Sequence, residues 1–288
     1  MSTFIYKEDW SVKYQEQLDE PNKYEDICKV TIDNKRVFHN PYITDAAVQS
    51  GTRGSAYTFQ AITRTDDNVT ISTYSVLPQV IDRADLAQTG YDEQMEIATR
   101  QGVLMKQKIE AAVYGDHANW TNFGSGDISG GTVADTTQIT VSPTNIDDII
   151  RHIKRVIRVA NGEDLMERYG VFIVWRPSDL EILEAFCQAN GYTMADVALK
   201  DGIRQGFVAM GVTHYSSNLL VANHVFAGVK KQHCVYILKD TWGQIMVDDK
   251  DPSDGSGPIS GISVVSRADY AVKTWTKVAP VLLDVNVA

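Results

Sequence analysis

Basic charge is what this chain most clearly lacks. Its 27 lysines and arginines are outnumbered by 37 aspartates and glutamates, giving a formal net charge of −10. A protein that grips nucleic acid by its phosphates shows the opposite balance. A sequence-reading DNA binder is therefore excluded, but a container that confines a polyanion without adhering to it is not. Cysteine is also scarce. Cys28, Cys187 and Cys234 lie far apart and form no C-x-x-C pair. That excludes a disulfide scaffold and fits buried or free thiols in a reducing compartment. Long apolar runs are missing: none exceeds the length of Val171–Trp175, far short of the ~20 residues that cross a bilayer. The opening Met1-Ser2-Thr3-Phe4 has no basic stretch leading into an apolar core, so no secretory signal is expected.

Catalytic signatures are absent in the same way. Gly124-Ser-Gly126-Asp-Ile-Ser-Gly130 and Gly255-Ser-Gly257-Pro-Ile-Ser-Gly261 both miss the dinucleotide-loop spacing by one residue. Neither pattern is expected to follow a strand and open a helix, as that chemistry requires. There is no P-loop and no G-x-S-x-G elbow,. Cys187 falls on an apolar helical face beside Leu183 and Phe186, where core packing is expected. His233 and Cys234 are adjacent on an expected strand and would point to opposite faces, so no dyad is expected from that pair. The six histidines (His39, His117, His152, His214, His224 and His233) include no metal-ligating helical spacing,. Asp248, Asp249, Asp251 and Asp254 lack the alternation and closing glutamate of a calcium loop. They read as a solvated acidic turn. No catalytic residue, cofactor or metal ligand is assigned.

What is present is a 288-residue chain with 43% hydrophobic and 22% charged residues, ordinary for a folded protein with a large core. Residues 1–45 read as an extended charged arm carrying Phe4, Tyr6, Trp10 and Tyr14. A hairpin is expected over 56–76, where Tyr57, Phe59 and Ala61 alternate with polar positions and Asp66-Asp67-Asn68 supplies the turn. Its flexible base would be Ser50–Ser55. The strongest helix is expected over 92–114, with Tyr91, Met95, Ala98, Gly102, Met105, Ile109 and Ala112 on one stripe and Gly115 as its C-cap. Residues 118–140 read as an exposed loop with a short strand near Gln138 to Val141. A second helix should follow Thr144 as N-cap, with Ile146, Ile149, Ile150, Ile153, Val156, Ile157 and Ala160 inward. Its outer Arg151, Lys154, Arg155 and Arg158 read as a solvated or inter-subunit ion-pairing face rather than a DNA contact. Strand Val171–Trp175, a helix from Pro177, and strands over 207–215, 234–239, 243–247, 262–266 and 270–283 complete an α+β layout.

This layout resembles the tailed-phage major capsid protein, the Hong Kong 97-like coat fold that encapsulin shells share. The resemblance rests on the order of arm, hairpin and long helix. It rests further on Gly170-Val-Phe-Ile-Val-Trp-Arg-Pro-Ser-Asp-Leu180, on Gly206-Phe-Val-Ala-Met-Gly-Val-Thr-His-Tyr-Ser-Ser-Asn-Leu219, on Val235-Tyr-Ile-Leu-Lys-Asp-Thr-Trp-Gly243 and on the closing Arg267–Leu283. It implies an N-terminal arm (1–45), an extended loop (46–82), a peripheral domain with its spine helix (83–142), an axial domain (143–261) and a strand returning to the peripheral domain (262–288). It also implies copies of the chain in pentamers and hexamers, enclosed double-stranded DNA, and scaffolding, portal and cement proteins as further partners. The product would be a virion shell assembled in the host cytoplasm, with no membrane.

Trp10, Tyr14, Arg53, Arg64, Asp66 and Asp67 are the expected inter-subunit contacts. Some members of the family link subunits through a lysine on the extended loop. No lysine lies between Lys35 and Lys106 here, so no such crosslink is expected. The short arm at the start implies a separate scaffolding protein or none. The alternatives are a nanocompartment shell of the same fold, a tail or adaptor component, and a soluble enzyme built on His214, His224 or Asp248.

Overall fold

A computed structural model describes residues 22–54, 56–82, 93–130, 135–190, 207–241, 243–248 and 261–288. In chain order the elements are α1 (Tyr24–Ile27), β1 (Lys29–Asp33), β2 (Val37–His39), β3 (Tyr42–Ile43), β4 (Arg64–Thr65), β5 (Asn68–Thr70), β6 (Thr73–Asp82), α2 (Glu93–Gly115) and a 3-10 turn (Asp116–Asn119). There follow β7 (Thr121–Phe123), α3 (Ser125–Ile128), α4 (Ile146–Val159), α5 (Glu163–Tyr169), β8 (Val171–Trp175), α6 (Pro177–Ala189), β9 (Phe207–Ala209), β10 (Val212–Ser216) and β11 (His224–Val229). The chain closes with β12 (His233–Leu238), β13 (Gly243–Asp248), β14 (Gly261–Thr274) and β15 (Leu282–Asn286). The architecture is α+β.

Two sheets carry the body. One has the order β7-β15-β11-β8-β10-β9, and the other runs β1-β12-β14-β13 with β6 also on β14. β8 shows why they share a core. Side chains alternate across a strand, and both faces of β8 are apolar. Val171, Ile173 and Trp175 join a cluster with Ile146, Ile149, Ile150, Ile153 and Ile157 of α4 and Leu180, Leu183 and Cys187 of α6. Phe172 and Val174 face a second cluster with Tyr24, Ile27, Met105, Ile109, Val113, Val235, Ile237 and Tyr270. That second cluster joins α1, α2 and both sheets. In β11, Gly228 takes φ 156°, and a Cβ there would lie 2.7 Å from the Val281 carbonyl oxygen. Glycine is what lets the two backbones approach.

α2 runs 23 residues, ~35 Å at 1.5 Å per residue. Met105 and Ile109 are buried as the stripe predicts, but Gln101 and Glu110 are buried beside them. Glu110 accepts the Lys23 backbone N–H at 3.0 Å and the Tyr114 hydroxyl at 2.7 Å. Gln101 bridges the sheet, donating to Gln79 Oε1 at 2.9 Å and accepting from Ser266 Oγ at 2.6 Å. Tyr91 lies outside the described residues, as do the side chains of Met95 and Ala98.

Several expectations need correction. Within the segment read as an arm, residues 22–33 are a short helix and a strand lying on the chain's own body: Tyr24, Ile27 and Cys28 are buried, and β1 pairs in parallel with β12. The hairpin does not fold back at Asp66–Asn68. β4 and β5 lie on the same limb and pair with β3 and β2 on the other. Gly115 remains helical at φ −66° and leads into the 3-10 turn instead of capping. Asn145, not Thr144, is the N-cap of α4, and its side chain accepts the Ser142 N–H at 2.8 Å. The 118–140 stretch contains β7 and α3. Strands 262–266 and 270–283 are one long strand, β14, followed by a break and β15, while β11 and α5 were not anticipated.

Candidate assembly surface

The hairpin between Arg36 and Ile71 is the feature that the body does not explain. Its base is held by backbone bonds: Ile71 N–H to Arg36 O at 2.8 Å, Asn40 N–H to Asp67 O at 2.7 Å and Thr44 N–H to Thr63 O at 3.0 Å. Farther out the limbs are joined by glutamine side chains acting as peptide groups. Gln60 accepts from the Ala47 N–H at 2.9 Å and donates to Ala47 O at 3.1 Å. Gln49 does the same for Thr58, at 3.1 and 2.8 Å. A primary amide offers the same donor and acceptor as a backbone unit, so the limbs stay linked where main-chain pairing stops.

The base is plugged into the body. Phe38, Val69 and Ile71 pack on Tyr236, Leu238 and Trp275, with the Phe38 and Tyr236 rings 4.3 Å apart. Asp67 locks that contact. It sits 2.9 Å from Lys273 Nζ and accepts the Thr276 N–H and hydroxyl, both at 2.9 Å. Burial alone would raise its carboxyl pKa. The Thr276 donors and the Lys273 ammonium outweigh that and hold it below the usual carboxylate range,.

Beyond the base no described residue buries the limbs. From Ile43 to Asp66 every described residue is exposed. Val48 is 99% exposed, Phe59 85% and Ile62 70%, and Tyr57 stands edge-on to Phe59 at 5.3 Å. A two-stranded ribbon is marginal in water, and grouped apolar side chains on it mark an interaction surface.

Of the anticipated contact residues, Trp10 and Tyr14 lie outside the described residues. Arg53 is exposed at the tip and Arg64 is exposed on β4. Asp66 is exposed too and meets His39 Nδ1 at 2.7 Å. Asp67 faces its own chain instead. The structure thus does not gather the six into one cluster. Beside these charges it places an exposed apolar group, Val48, Tyr57, Phe59 and Ile62, that the expected contacts do not include.

The basic face of α4 is occupied within the chain. Arg151 meets Asp147 and Asp148, Lys154 donates to the Met210 carbonyl, Arg155 to that of Asp127, and Arg158 meets Glu163. Two histidine assemblies have the residue types of catalytic sites. Cys28 Sγ lies 3.8 Å from His233 Nδ1, and His233 Nε2 lies 3.0 Å from Asp116. This Cys-His-Asp chain is sealed: Cys28 is fully buried, and that burial pushes its thiol pKa far up, away from a nucleophile. His214 is a core residue. It accepts the Trp175 indole N–H at 3.0 Å through Nδ1 and donates Nε2–H to the Ala209 carbonyl at 3.1 Å. Burial holds its pKa down at about 4. His224 belongs to a separate cluster with His117 and Asp284. The side chain of Asp248 and the acidic residues after it fall outside what is described. The described residues include no helix long and apolar enough to cross a membrane.

No family model and no curated protein matches this sequence. Solved structures do match in shape. A chain from Mycobacterium phage Che8 superposes with a TM-score of 0.73 at 13% identity, covering 98% of this chain and 97% of that one. The capsid of Ralstonia phage GP4 gives 0.68 at 12% identity, covering 98% and 94%. The capsid of a native GTA particle gives 0.65 at 12% identity, covering 98% and 95%. Likeness at such low identity, end to end in both chains, is likeness of architecture: this chain has the phage capsid fold, the Hong Kong 97-like fold that its sequence layout resembles.

Proposed function

We propose that this chain is the major capsid protein of a tailed phage, self-assembling into an icosahedral shell around double-stranded DNA. The supporting observation is a capsid fold over nearly its whole length joined to a hairpin whose apolar tip has no partner within the described chain. On this reading the hairpin is the extended loop, α2 the spine, the β14 sheet with α2 the peripheral domain, and the β8 sheet with α4 and α6 the axial domain. Trp10, Tyr14, Arg53, Arg64 and Asp66 are proposed to meet neighbouring subunits. Asp67 instead sets the angle at which the loop leaves the body. Many modest contacts per subunit close a symmetric shell. The acidic balance suits a wall that must not adhere to DNA, so the shell would enclose its genome non-specifically. Scaffolding, portal and cement proteins are the remaining partners proposed, with assembly in the host cytoplasm.

The loop, like the whole stretch from Arg36 to Gly102, carries no lysine, so the shell is held non-covalently. Electron microscopy of the expressed protein tests the proposal. Uniform closed particles with five- and six-fold clusters are expected. Rings, tubes or a stable monomer would contradict it, and closed particles enclosing an enzyme instead of DNA would point to a nanocompartment.

A further inference from the structure

We propose that His117, His224 and Asp284 form a binding site for a divalent transition cation of the zinc class. Such a site would tie the turn after α2 to two strands of the β8 sheet. The three ligand atoms lie within 4.8 Å of one another. They come from three separate segments: His117 from the 3-10 turn, His224 from the start of β11 and Asp284 from β15.

Register explains the meeting. His224 pairs with Asn286 across the β11–β15 ladder, so Asp284, two residues away, projects on the same face. The turn after α2 lies over that face. Trp120 stacks on Phe226 with centroids 3.7 Å apart, and His117 lies over His224 at 4.1 Å. Both imidazoles direct Nδ1 at one carboxylate. His224 Nδ1 lies 2.8 and 2.9 Å from the two Asp284 oxygens, and His117 Nδ1 lies 3.4 Å from Oδ2.

Two observations single this cluster out. Asp284 is 2% exposed, and a buried carboxylate demands a compensating cation or donors. The two histidine side chains are 26% and 25% exposed, which leaves a route from solvent. Two imidazoles and a carboxylate are the donor set that borderline cations prefer. Zinc bonds of ~2.0–2.1 Å place neighbouring tetrahedral ligands roughly 3.3 Å apart, close to the separations seen. As a hydrogen-bonding group the His224 ring donates Nδ1–H to Asp284, while the His117 ring lies at ion-pair distance from the same carboxylate. On binding, each ring coordinates through Nδ1 as its Nε2–H tautomer, so no redox partner is needed. The fourth position is left for water or a neighbouring subunit. The turn bearing His117 is itself braced, since Asp116 accepts from Asn119 at 2.7 Å and from Thr274 at 2.8 Å.

The test is titration of the purified chain with ZnCl2 by calorimetry, with CoCl2 as a spectroscopic probe and melting followed with and without EDTA. One equivalent should bind, Co2+ should give the visible d–d bands of a four-coordinate site, and zinc should raise the melting temperature by several degrees. His117→Ala should weaken binding by about a hundredfold or more, beyond the ten- to hundredfold cost of disturbing an outer partner. His152→Ala, on α4 and outside the cluster, should not. His117→Gln serves if the alanine variant fails to fold. The proposal is overturned if the wild-type chain takes up no cation, or if either His117 variant binds as tightly as wild type. The measurement needs no assembly, so its outcome is independent of whether shells form.

Discussion

The β8 sheet and the hairpin are two regions of one chain built on opposite rules. In β8 all five residues are buried, and both faces are packed by helices or by the other sheet. In the hairpin the described residues from Ile43 to Asp66 are all exposed, and glutamine amides link limbs that have no core between them. The first region holds its shape by burying apolar surface within the chain. The second displays apolar surface that no described residue of the chain covers. Packing within the chain ends at the Asp67–Lys273 contact, where the hairpin leaves the body, and the surface proposed for assembly lies beyond it.

The comparison can be broken most forcefully from the body side. Ile153 of α4 is fully buried in the cluster that faces β8. Ile153→Ala should cost about 2–5 kcal/mol, from lost transfer free energy and the cavity left behind. Chemical denaturation of unassembled subunits would show it. A loss below ~1 kcal/mol would mean that this core is looser than its burial indicates.

Acid should act next, and also on the body. Burial keeps His214 neutral down to a pKa of about 4, against 6.5 for the free side chain, with the nearby Lys154 charge acting in the same direction. Above pH 6.5 the ring is neutral in folded and unfolded states, so its contribution is intact. Between 6.5 and 4 the unfolded chain takes up a proton that the folded chain refuses. Stability then falls by about 1.4 kcal/mol per pH unit, and below 4 this group adds no further loss. His214→Gln should flatten the slope within that window. An unchanged slope would place the acid sensitivity elsewhere.

Asp67→Ala probes the boundary. It removes an ion pair and leaves the Thr276 donors without their acceptor, so a loss of about 1–2 kcal/mol is expected. Hydrogen exchange should quicken at Phe38, Val69 and Ile71 and stay unchanged in β8. Equal quickening in both would mean that the two regions are not separable.

How much of this was legible follows from the same contrast. Val171–Trp175 and the isoleucine face of α4 stand out because burial demands apolar residues at regular spacing, and both were read correctly. β14 was split in two because Arg267 and Asp269 interrupt its apolar pattern. They lie on one face, with Arg267 Nε 2.7 Å from Asp269 Oδ1, while Ala268 and Tyr270 are buried on the other. β11 escaped notice because its pattern carries His224 and a glycine needed for close backbone approach. Gln101 and Glu110 are buried polar residues whose partners lie far away in sequence, so no local period reveals them. In the hairpin, strand alternation was visible but its partner was not: the residues that pair with it belong to the segment read as an arm. The His117–His224–Asp284 cluster leaves no spacing motif, because it is brought together by the register of β11 on β15 and by the turn after α2 lying over that face.

The central claim is that the hairpin tip serves neighbours and not the fold. Phe59→Asp tests it most directly, with melting of the free subunit and particle yield measured on the same preparation. Phe59 is 85% exposed, so the melting temperature should stay within about a degree of wild type, as surface changes usually shift stability by less than ~0.5 kcal/mol. Closed particles should be lost or sharply reduced. Particles at normal yield from this variant would contradict the account, and so would a subunit that melts many degrees early.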